Sequence, residues 1–206
     1  GCAPALGYLL NQGVVFSVER WRSQPGKAGE YDNVHEAAWA CCTDNLRLLF
    51  DHDMVDPNTV SNPHTGWPNN VSLLYWAVFN GINPNRDAGA LVQLLLQHGT
   101  DPEIRFTGNG ERGNTALQEA AVLDKPGKEE LVRMLLAGGA CYDVFTACSL
   151  NDLQRVQELA RERPAIARAS GEIEVTPLHW AARTGAAKTA RWLLRHGADI
   201  DAATTA

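Results

Sequence analysis

Residues Thr176 to Ala182 read T-P-L-H-W-A-A, and Ala181 stands twelve residues before Leu193 in the run Leu193-Leu194-Arg195-His196-Gly197-Ala198-Asp199. Each part of this pairing has a conformational reason. Thr176 can cap a helix through its hydroxyl, and Pro177 suits the first helical turn, where no N–H is needed. Ala181 and Ala182 are small enough to let a neighbouring helix approach closely. Gly197 suits the left-handed end of a second helix, and Asp199 opens a turn. The pattern is that of two short helices joined tightly and followed by a loop.

The pattern resembles one unit of the ankyrin repeat, a fold of stacked helix pairs with a period of about 33 residues. Such a unit cannot bury its own apolar faces, so one clear copy implies neighbours. Four weaker copies align on the same anchors. They are Val34 to Ala38 with Leu48-Leu49, Ser72 to Ala77 with Leu95-Leu96, Asn114 to Ala121 with Leu135-Leu136, and Val144 to Cys148 with Leu159. The positions equivalent to Thr176 are then Asp32, Ser72, Thr115 and Tyr142, spaced 40, 43, 27 and 34. The resemblance implies an all-α solenoid of stacked antiparallel helix pairs with projecting β-hairpin loops. One array spans 1–206, with a half unit at 1–31 and repeats at about 32–71, 72–114, 115–141, 142–175 and 176–206.

The departures from the period localise. Extra residues separate the two helices of the second copy, at 82–89, and of the third, at 124–127. A long turn-rich connection, with Asn62-Pro63 and Trp67-Pro68, joins the first copy to the second. The link from the third copy to the fourth is short enough to lack a hairpin. Leu6 to Gly13 reads as the second helix of an incomplete leading unit.

A net charge of −6, with Arg and Lys scattered, excludes a nucleic-acid stripe. No apolar run approaches the roughly 20 residues of a membrane span. No secretory signal is visible after Gly1, and five cysteines without a C-x-x-C pair fit a reducing, cytoplasmic setting. The Ala-, Arg- and Leu-rich repeats suggest a bacterial chain.

His179 invites a catalytic reading, but the resemblance gives it a structural one, bridging backbone groups of adjacent repeats. The aligned copies place His35, Tyr75, Gln118 and Phe145 there. His52, His98 and His196 recur near the ends of the second helices, where a positive charge complements the helix dipole. Cys41 and Cys42 would point about 100° apart on a helix, which is poor geometry for one tetrahedral ion. No metal, cofactor or catalytic residue is expected.

The resemblance also implies that the two residues after the Ala-Ala position face a concave groove. Carried over copy by copy, these are Trp39 and Ala40, Phe79 and Asn80, Val122 and Leu123, Ser149 and Leu150, and Arg183 and Thr184. Four successive copies place a sizeable apolar side chain on this line. Such a stripe marks a binding surface if it is exposed, whereas loops folding over it would bury it. The long loops add Trp67, Arg105 and Phe106, residue types common as interface anchors. The expected function is a non-enzymatic protein–protein interaction module that binds a protein or peptide through the groove and loops. The alternative is a groove that holds a small apolar ligand or works as an atypical enzyme, using the irregular insertions.

Overall fold

A computed structural model describes residues 33–61, 70–80, 87–106, 113–124, 126–169 and 175–203. The described residues form five helix pairs. They are α1 (Asn33–Trp39) with α2 (Thr43–Asp51), α3 (Leu73–Asn80) with α4 (Ala88–Gln97), α5 (Ala116–Val122) with α6 (Lys128–Ala137), α7 (Val144–Ser149) with α8 (Leu153–Glu162), and α9 (Pro177–Arg183) with α10 (Ala187–Arg195). A 3-10 turn, Pro164–Arg168, follows α8. The expected half unit before residue 32 lies outside the described residues.

Local chemistry sets the helix starts. The Thr115 hydroxyl accepts the Gln118 amide at 3.2 Å, and Gln118 Oε1 accepts the Thr115 amide at 3.1 Å. Thr176 and His179 make the same reciprocal box, with His179 Nδ1 accepting the Thr176 amide at 3.1 Å. Ser72 Oγ accepts the Tyr75 amide at 3.1 Å. Each arrangement satisfies amides that a helix N-terminus leaves free. The fourth pair differs from the expected register. Asp143, not Tyr142, caps α7 by accepting the Thr146 amide at 2.8 Å, so this helix starts one residue late. A phenol carried on a ring cannot fold back onto the N3 amide, and the adjacent carboxylate can.

The turn inside the first, fourth and fifth pairs also repeats. Cys42, Asp152 and Ala186 donate their amides to Ala37, Ala147 and Ala181 at 2.8, 2.9 and 2.8 Å. The residue before each donor sits at positive φ: Cys41 at 50°, Asn151 at 56° and Gly185 at 68°. Four of the second helices end alike, with Met54, Thr100, Ala140 and Ala198 donating to Leu49, Leu95, Leu135 and Leu193; α8 instead runs into the 3-10 turn. Those four leucines are buried.

The first helices stack in sequence, α1 on α3, α3 on α5, α5 on α7 and α7 on α9. Among the second helices α2, α4 and α6 stack, and α8 stacks on α10. The buried apolar residues fall into two clusters, one from Val34 to Ala140 and one from Val144 to Leu193. Of the hairpins, the described residues show only rudiments: an antiparallel bridge between Val60 and Ser72, and a Phe106 amide bonded to Asn114 O at 3.0 Å. The link from α6 to α7 is the short run Gly138 to Asp143, as its spacing suggested. Among the described residues no helix is long and apolar enough to cross a membrane.

Candidate functional site

The positions after each alanine pair fall at the C-terminal ends of the first helices. Phe79 is the most open of the apolar ones, with 40% of its surface exposed. Trp39, Val122, Leu123 and Leu150 are half-buried, as is Ala40. Trp39, Leu123 and Leu150 pack against the first core cluster, so the row is a partly covered apolar line rather than a free stripe. Ser149 is buried. Arg183 is exposed, and Thr184 is half-buried with its hydroxyl donating to Trp180 O at 3.1 Å. Asn80 ends α3; its side chain and Trp67 lie outside the described residues.

The loop residues Arg105 and Phe106 fold onto this face. Phe106 stacks on Tyr75 with ring centroids 5.1 Å apart, and Tyr75 stacks in turn on Phe79 at 6.1 Å. Trp76 meets Phe79 edge-on at 5.8 Å. Tyr75 and Trp76 thus hold Phe79 in place, with Phe106 behind Tyr75, while leaving it accessible. Offset and edge-on pairs of this kind add about 0.5–1.5 kcal/mol each beyond their buried area. Arg105 Nη1 donates to Gly113 O at 3.3 Å and to Gln118 Oε1 at 3.4 Å, which ties the loop base to the cap of α5.

Beneath the rings lies a polar pair that the repeat pattern alone did not indicate. The Tyr75 hydroxyl donates to Glu119 Oε2 at 3.1 Å, and Asn114 Nδ2 reaches the same oxygen at 3.4 Å. Glu119 is 6% exposed. Burial, followed by the charge of Glu119 and the bond to it, pushes the Tyr75 phenol well above its ordinary range; the Arg183 charge opposes this. Glu119 occupies the position where other copies hold Trp76 and Trp180. That exchange of a carboxylate for an indole was the signal available in the sequence.

The histidines are distributed by the repeat. His52, His98 and His196 cap the C-termini of α2, α4 and α10. The described bonds of His179 stay within its own repeat, on Thr176, rather than bridging to a neighbour. Among the described residues no group of three His, Cys, Asp or Glu side chains could hold a metal ion.

The family model for the ankyrin repeat matches residues 112–147 and 174–205. These segments hold α5, α6 and the start of α7, then α9 and α10, and they contain both complete capping boxes. The fold is an ankyrin-repeat solenoid. A comparison with curated proteins gives no match. The ankyrin matches fall where the start of the first helix is most regular. Outside them the helix pairs are stacked in the same way, but α3 starts on the single Ser72 cap rather than on a reciprocal box.

Proposed function

We propose that the chain is a non-enzymatic interaction module of the cytoplasm that binds a protein segment along the concave ends of its first helices. Ankyrin repeats are generally protein–protein interaction modules, and the two matched segments support that coarse reading. The observation that carries the finer one is the accessible Phe79, buttressed by Tyr75, Trp76 and Phe106 and continued along the row by Val122, Leu123 and Leu150. A rigid aromatic on a partly apolar line suits an amphipathic helix or an extended segment with apolar anchors. Arg183 and Arg105 border this row with positive charge.

Phe79→Ser removes the most exposed ring while leaving the buried leucines untouched. Quantitative affinity capture from native lysate, run with the parent chain and with F79S, tests the reading. The expected result is a protein retained by the parent and reduced at least about tenfold with the variant, in keeping with a central aromatic anchor. An unchanged captured set, with F79S still folded by thermal melting, contradicts it.

A further inference from the structure

The five helix pairs are not joined equally. At every other described junction the first helices stack and so do the second helices. Between the third and fourth pairs α5 packs on α7, but α6 and α8 form no comparable contact. The buried apolar residues divide at this same place, one cluster ending at Ala140 and the other beginning at Val144. The connection there is short and glycine-led. Gly139 sits at φ 93°, and a Cβ on Gly138 would lie 2.7 Å from Leu96, so the C-terminal end of α6 is packed tightly against α4. The bonds that cross the junction are polar. Gln118 Nε2 donates to Asp143 Oδ2 at 2.7 Å, and the Cys141 amide donates to Glu103 Oε1 at 2.8 Å. Leu150 supplies an apolar contact across it, reaching the first cluster from the end of α7.

In a linear array stability is a sum of unit terms and nearest-neighbour terms, and the array parts where a neighbour term is weakest. A pair of hydrogen bonds contributes little net stability compared with continuous apolar burial. We propose that this junction is a built-in seam dividing the array into two cooperative units, residues 33–140 and 141–203, which open independently in the native state. The second unit is the smaller one and is held to the first through α5–α7 and the two polar bridges.

Native-state hydrogen exchange on the full chain, in rising sub-denaturing urea, reads this directly. Amides of α7 to α10 should converge on one opening reaction, and those of α1 to α6 on another. Val156→Ala, a small cavity in the second cluster, should speed exchange in α7 to α10 by about tenfold or more and leave α1 to α6 within about twofold. Leu95→Ala should do the converse. A single opening shared by all ten helices, a boundary at another junction, or either variant accelerating both units alike would overturn the proposal.

Discussion

Asn151 occupies a turn at φ 56°, and its Oδ1 accepts the amides of Lys188 and Thr189 at 3.0 and 3.2 Å. Those amides open α10, whose own N-cap, Ala186, offers no side-chain bond. One residue therefore tolerates a left-handed turn and caps a helix in the next repeat. Asn151→Gly relaxes the turn, where left-handed backbone costs a non-glycine residue about 1–2 kcal/mol. It also strips the cap from α10, and caps contribute about 0.5–2 kcal/mol. The two bonds to the helix outweigh the relaxation, because asparagine bears the left-handed region better than most residues. Urea unfolding should show N151G less stable by about 1 kcal/mol and Asn151→Asp close to the parent; a stabilised N151G would show that the cap contributes nothing. Thr146 Oγ1, by contrast, is buried without a hydrogen-bond partner. Thr146→Val keeps the shape and removes that hydroxyl, so unfolding should need about 1 kcal/mol more. The caps at Thr115 and Thr176 were legible because donor and acceptor lie three residues apart. The role of Asn151 was not, since its partners lie 37 and 38 residues on.

Short helices such as these survive by packing, because fewer than about 12–15 residues do not hold a helix alone in water. The six-residue α7 is the clearest case, stacked between α5 and α9 with Val144, Ala147 and Cys148 buried in the second cluster. Burial, and then the charge of Asp143, pushes the Cys148 thiol up to about 12. Burial also raises the Tyr142 phenol, with the bond to Asp152 and its charge adding to the effect. A raised value favours the neutral form in the fold, so the stability these groups contribute is complete below their unfolded values. It is lost as pH climbs from about 9 towards 12. Melting temperature should therefore fall steadily above about pH 9, and Cys148→Ala should flatten the early part of that fall. An identical alkaline slope in C148A would remove Cys148 from the account. At this scale the alanine and leucine anchors located all five helix pairs. The start of α7 was misplaced by one residue, because the anchor spacing follows the turn after the helix while the cap is chosen locally by Asp143. Of the expected hairpins, the bases at Val60–Ser72 and Phe106–Asn114 are paired, and 62–69 and 107–112 lie outside the described residues.

Across the molecule, the repeat anchors placed the helices that stack on one another. The short step from the third copy to the fourth coincides with the junction where the core divides. The row from Trp39 to Thr184 was legible as a set of positions, but its exposure was not. Exposure depends on how the loop at Phe106 folds back onto Tyr75 and how the half-buried leucines settle against the core. The row passes from Leu123 on one side of the seam to Leu150 on the other, so a partner lying along its full length would tie the two units together. The central claim is that this face, rather than the outer one, receives a protein. A photo-crosslinking phenylalanine analogue placed at position 79, and separately at the exposed position 93 on α4, tests it in living cells. Position 79 should give a discrete protein adduct and position 93 none. Adducts of equal yield from both positions, or from position 93 alone, would contradict it.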